Sequence, residues 1–255
     1  GITRVSKESI FFYFYHLEVV TTTSDKYATA FGFTEPEVFN ALDECGLADK
    51  KAEVKRWYDG FVFGKHRDIY NPWSIVNFCD KKKLDAYWAN TSSNGLAGKL
   101  IREGNCEVKS KFEQLLKGDA VLVPIDEQIV CNLLDADNET AVWSLLLASG
   151  YLKIVNSDAD KELAPGEERM YEIQFTNLET EHAFRLMIRG WFNKATSAYN
   201  GFIRALLADD KKAMNVYMKR VALESFSYFD TSKNVEPERF YHGFVLGLLV
   251  ELQKD

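Results

Sequence analysis

The stretch Trp57 to Phe78, WYDGFVFGKHRDIYNPWSIVNF, constrains the fold more than any other part of the chain. Asp59-Gly60 and Gly64 are turn residues, so the backbone must reverse here. Phe61 to Phe63 reads as a short strand and Ile69-Tyr70 as a second, with Lys65-His66-Arg67-Asp68 as the polar tip of a hairpin. Asn71-Pro72 has the form of a helix start. The Asn side chain can accept a free amide of the first turn, and Pro at the first helical position gives up an N–H that has no partner there. Trp73, Val76 and Cys79 follow at helical spacing and predict one buried stripe. On residues alone this is a packed aromatic corner, with Tyr58 and Asp59 as turn and packing residues. It holds no nucleophile beside a base and no set of metal ligands.

The flanks are punctuated as clearly. Thr34-Glu35-Pro36-Glu37 is a capping box that opens a helix, with Val38, Leu42 and Cys45 on its buried face and Gly46 at its end. A short helix at about 50–57 delivers the chain into the corner. Asn90 to Asn94 predicts a polar loop before a helix near 95–103, and another helix is expected near 107–117. Beyond Gly118-Asp119 the pattern changes to a strand (Ala120 to Pro124), a short helix (Glu127 to Leu134), a helix (Thr140 to Ser149) and two alternating pieces, Leu152 to Ile154 and Tyr171 to Phe175. That order is the order of a winged helix, placed at 105–176 with 151–175 as a two-stranded wing. The remainder, 177–255, reads as helical. Thr176 to Glu179 is a second capping box, with Glu179 and Glu181 serving the helix dipole. Phe184, Met187, Ile188, Trp191 and Phe192 keep helical spacing. A last helix opened by Pro237 carries Tyr241, Phe244, Val245, Leu248, Leu249 and Leu252 as one apolar stripe. The expected class is mainly α (α+β).

Several of these strings resemble the bacterial AAA-ATPase-like family, in which an ATPase region is followed by a PD-(D/E)XK nuclease-like domain. They are GITRVSKESIF at the start, FGFTEPEV at 31–38, WYDGFVFG and IYNPWSIVNF in the corner, YWANTSSN at 87–94, WSLLLASGYLK at 143–153 and ERFYHGFVLGLLVEL at 238–252. The resemblance implies that 1–104 is the helical C-terminal part of the ATPase region. It implies that 177–255 is a connector and the first helices of the nuclease-like domain. Thr3 and Arg4 would then lie at a strand end near the nucleotide phosphates, and Asn71 and Pro72 in a lid over it. His242 and Glu251 are the weak catalytic candidates, on the helix that precedes the nuclease acids. By the same resemblance the phosphate loop lies before residue 1 and the metal-binding acids after residue 255. ATP and Mg²⁺ belong to the longer protein, and no cofactor is expected in this chain. The expected partners are those two flanking domains, with nucleic acid reached through the longer protein and no membrane.

The residues independently deny this chain a complete catalytic set. The nearest approach to a phosphate loop, Ser93 to Leu100, lacks the first Gly and has Leu100 where a hydroxyl must hold magnesium. Four widely spaced cysteines form no CxxC or Cys/His cluster, so zinc is not expected and a reduced cytoplasmic setting is. Cys45 and Cys79 read as small core residues. A net charge of −7 argues against a surface devoted to nucleic acid. The one compact basic cluster is Lys211, Lys212, Lys219 and Arg220. The sequence therefore supports a coupling piece of a multidomain protein, with a winged-helix DNA-binding module as the alternative.

Overall fold

A computed structural model describes residues 24–91, 95–126, 138–157, 169–229 and 237–252. Among these the fold is mainly helical, with two small antiparallel sheets. The opening string GITRVSKESIF with Thr3 and Arg4, the helix expected at Glu127 to Leu134 and the middle of the expected wing, 158–168, fall outside the described residues.

The capping box forms. The Thr34 amide and hydroxyl both donate to Glu37 Oε2, each at 2.7 Å, and helix α1 (Glu35–Glu44) starts there. After a single 3-10 turn, α2 (Lys51–Tyr58) leads into the hairpin of β2 (Phe61–Phe63) and β3 (His66–Tyr70). A short β1 (Phe33–Thr34) completes a sheet of order β1-β3-β2. The hairpin is tighter at its tip than its composition suggests, because β3 already begins at His66. Phe61 pairs with Ile69 and Phe63 with His66, so β3 carries one extra residue between those pairs. Asp68 absorbs it at φ +57°, as a bulge residue that tolerates the left-handed region does.

Asn71 caps α3 (Pro72–Lys81) as its chemistry predicts, its Oδ1 accepting the Trp73 amide at 2.9 Å. The stripe on that helix is corrected. Ser74, Ile75 and Phe78 are buried, whereas Trp73 and Val76 are 54% and 56% exposed. The helix is rotated from the apolar reading because a polar residue, Ser74, is needed inside. Cys45 is likewise exposed. The first core gathers Val38, Leu42, Val54, Tyr58, Tyr70, Ile75 and Phe78.

A short α4 (Trp88–Thr91) takes in the first two residues of the polar loop expected at 90–94, whose remainder lies outside the described residues; α5 (Gly95–Glu103) and α6 (Cys106–Leu116) follow. Strand β4 (Val121–Pro124), α7 (Glu139–Ala148), β5 (Leu152–Ser157) and β6 (Met170–Phe175) come next. The three strands form a sheet of order β4-β6-β5, with Val121 and Ile154 both opposite Ile173. Val121, Val123, Leu152, Tyr171, Ile173 and Phe175 are buried in the second and larger core.

The chain closes with α8 (Leu178–Gly190), α9 (Thr196–Leu207), α10 (Lys211–Phe229) and α11 (Pro237–Leu252). Phe192 and Tyr199 stack at 4.7 Å, and Phe244 of α11 meets both edge-on. The α11 stripe also shifts. Tyr241 and Val245 are exposed, while Phe244, Leu246 and Val250 are buried, because this helix packs on α6, α8 and α10 at once. No helix among the described residues is long and apolar enough to cross a membrane.

Candidate functional site

Two polar constellations stand out, and both involve the corner. The first forms where α2 runs into the hairpin. Asp59 follows α2, Asp68 sits in the bulge of β3, and Glu35 opens α1. One oxygen from each lies within 4.8 Å of the others. The Lys55 ammonium is ion-paired to Glu35, 3.7 Å from Asp68 and 4.0 Å from Asp59. The Tyr70 hydroxyl donates to Glu35 at 3.2 Å.

The electrostatics follow from crowding. Asp59 is pushed up to about 6, first by burial and then by its hydrogen bond to Asp68 and that group's charge. Two carboxylates that close hold one proton between them more readily than two negative charges. Asp59 Oδ1 has no partner of its own. From β5, Lys153 faces the same pair. Its ammonium is held below the usual lysine range by burial and by Arg67, against the pull of Asp59 and Asp68. These three carboxylates are the group among the described residues with the geometry to hold a cation. Lys55 already lies against them, so a metal ion would have to displace an ammonium.

The second constellation is deeper. Glu179, at the start of α8, is fully buried. Its Oε2 accepts from the Ser74 hydroxyl of α3 at 2.8 Å, and its Oε1 from the amides of Trp88 at 2.6 Å and Ala89 at 3.4 Å. Burial holds this carboxyl above its ordinary range, and the hydrogen bonds pull it back only in part. Beside it, Asn177 Nδ2 donates to the Tyr58 carbonyl at 3.1 Å, and the Tyr58 hydroxyl donates to the Asp85 carbonyl at 2.9 Å. Gly60, at φ +125°, passes so close to the Thr176 carbonyl that a Cβ would lie 2.1 Å from it. The corner is thus tied to β6 and α8 by backbone contact and a buried carboxylate.

This corrects the sequence reading of α8. The helix is capped by Asn177, which accepts from Thr180 at 3.1 Å, and the box partner is Thr180. Glu179, free of capping, reaches across to α3. Glu181 remains at the surface side, paired with Arg185 at 2.6 Å. The acidic cluster was also invisible in the hairpin string, because its third member lies 24 positions upstream of Asp59, at Glu35.

Other sequence-derived candidates are dispersed. Asn71 and Pro72 act as a helix start. His242 is half-buried on α11, and the side chain of Glu251 falls outside the described part. Lys211, Lys212, Lys219 and Arg220 are all exposed on α10; Lys212 and Lys219, seven residues apart, share a face, with Lys211 and Arg220 to either side of it. The would-be recognition helix α7 is buried at seven of its ten residues, Trp143 among them. It cannot lie in a DNA groove without unpacking the core.

No protein-family model and no solved structure matches the chain. It is similar to the "Uncharacterized protein in vnfD 5'region" of Azotobacter chroococcum mcd 1, 24% identical over 183 residues. The match covers 71% of this chain and 32% of that protein, so the chain spans about a third of that relative's length.

Proposed function

We propose that this chain is a coupling piece of a longer protein, transmitting movement between a nucleotide-binding domain on one side and a nuclease-like domain on the other. The observation that carries this reading is the Glu179 joint. A fully buried carboxylate accepts from α3 and from the start of α4 while belonging to α8. Displacing the hairpin and α3 relative to α8 would strand that carboxylate without its donors, which costs several kcal/mol. The two parts must therefore move together, which is what a relay requires. The length of the relative supports a larger whole. ATP and Mg²⁺ belong, in this reading, to the domain that contains the phosphate loop. The winged-helix-like unit at 105–176 serves protein contacts, since its third helix is buried. We assign the protein to the cytosol.

The test is made on the longer protein. Hydrogen exchange in α8 should change when ATP and Mg²⁺ are added, and Glu179→Ala should abolish that response while hydrolysis persists. A response that survives the substitution, or ATP turnover by this chain alone, refutes the relay.

A second reading, nucleic-acid binding, rests on one observation. The four cations of α10 are exposed, with no ion pair among the described residues.

A further inference from the structure

We propose that the outward stripe of α10 is a docking surface for an acidic amphipathic helix of a partner protein, with Val216 and Leu223 as its apolar anchors and Lys212 and Lys219 as its ion-pairing groups. Helix α10 carries apolar residues on two sides. Met214, Tyr217, Met218, Val221 and Ala222 follow at helical spacing and pack into the larger core. Helix α9 lies so close on that side that a Cβ at Gly201 would be 2.5 Å from the Tyr217 ring. That face is satisfied within the fold. Val216 and Leu223 stand on the opposite side, 52% and 84% exposed. Single exposed apolar residues need no explanation. These two are seven residues apart, so they share one row, and the same row holds Lys212 and Lys219.

The row Lys212, Val216, Lys219, Leu223 advances by four, three and four residues, which is the repeat on which two helices pair side by side. Charge then selects the occupant. The chain is net −7, yet 211–223 holds four cations and no acid. The acids just before it, Asp209 and Asp210, stand at the helix start, where Asp210 Oδ1 accepts the Ala213 amide at 3.0 Å. A second copy of the row, paired in parallel, sets lysine against lysine, and in either direction it offers no carboxylate. A phosphate backbone answers the lysines but leaves Val216 and Leu223 without a partner. A lipid surface takes an apolar face flanked by cations. Here the lysines stand within the apolar row itself, so immersing Leu223 would draw Lys219 into hydrocarbon. A helix with an apolar residue at every seventh position and a carboxylate between answers both halves of the row. Burial of Val216 and Leu223 supplies the attraction, and the ion pairs set register and reject wrong partners.

The probe is a labelled synthetic helical peptide of a few heptads, with leucine at the first and glutamate at the fourth position of each. Its control carries lysine in place of the glutamate. Fluorescence anisotropy against the folded full chain should show binding of the glutamate peptide and none of the lysine peptide. Leu223→Ser should weaken binding by about tenfold or more. Lys212→Glu combined with Lys219→Glu should lose the glutamate peptide and gain the lysine peptide, with the thermal midpoint nearly unchanged because both positions are exposed. Damage to the fold cannot produce that exchange of preference. Failure of the glutamate peptide to bind, equal binding of the two peptides, or a charge-reversed chain that keeps its original preference would each overturn the assignment. Displacement of the glutamate peptide by duplex DNA or by phosphatidylserine vesicles would overturn it too, and give the row to those partners instead.

Discussion

Glu179 is the residue on which the architecture leans most, and its role can be separated from mere bulk. Glu179→Ala leaves the Ser74 hydroxyl and the Trp88 and Ala89 amides without an acceptor, and should cost about 2–4 kcal/mol in chemical denaturation. Glu179→Gln should cost only about 1 kcal/mol. Its amide oxygen can face the two backbone donors, while its NH₂ gives a hydrogen to Ser74, whose oxygen also accepts. Equal losses for the two variants would mean that the contact is filler. Asp59 behaves oppositely. Its folded-state value of about 6 lies above that of an ordinary carboxylate, so the folded chain keeps a proton that the unfolded chain has already released. Raising the pH through that window therefore favours unfolding, and stability contributed by protonated Asp59 is lost as the pH climbs past about 6. Asp59→Asn removes the repulsion with Asp68 and offers it a donor. It should raise the thermal midpoint by a few degrees at about pH 7.5 and bring no gain at about pH 4. A midpoint difference independent of pH would remove Asp59 as the titrating group. Neither residue announces itself in the string. A Glu in a first turn normally serves the helix dipole, and only the tertiary position of Ser74 diverts it.

At the scale of elements, start and stop signals were the legible part. The Thr34 box, the Asn71-Pro72 start and the glycines at 46, 118 and 150, all at positive φ, mark the boundaries that the structure has. Rotation about each helix axis was not legible. In α3 and α11 the apolar residues outnumber the buried positions, and the choice falls to neighbours that no local window contains. Ser74 wins its place through Glu179, while Trp73 is left outside. Alternation in β6 was clearer, since Tyr171, Ile173 and Phe175 all face inward. A glycine on α11 shows how tightly the helical layer is set. A Cβ at Gly247 would lie 2.5 Å from the Phe192 ring and 2.7 Å from the Tyr199 hydroxyl. Those two rings are stacked on each other, so neither can retreat alone. Gly247→Ala gains about 1 kcal/mol in helix propensity and should nonetheless be net destabilising by about 1–2 kcal/mol, because overpacking of a stacked pair outweighs it. Denaturant midpoints of the two proteins decide the sign.

For the molecule as a whole, the coupling and nucleic-acid readings make different demands on salt. The chain carries a net charge of −7, so any affinity for duplex DNA must come from a local field strong enough to overcome general repulsion. Helix α10 supplies four exposed cations within ten residues, enough for a binding constant that falls steeply with added salt, by roughly the third or fourth power. The prediction is therefore conditional in a useful way. If α10 is a nucleic-acid surface, affinity for a short duplex is measurable at low salt and collapses as salt rises. Replacing Lys211, Lys212, Lys219 and Arg220 by Gln then abolishes both the affinity and its salt slope, leaving the thermal midpoint nearly unchanged because all four are exposed. If the chain is a relay, fluorescence anisotropy shows no salt-dependent duplex binding and the quadruple variant is indistinguishable from the parent. The buried α7 sharpens the contrast. Buried in this way, α7 offers no groove-reading element to add specificity, so any binding through α10 must be blind to sequence. Duplexes of unrelated sequence should then compete equally, and a strong preference among them would put the recognition surface somewhere other than α10.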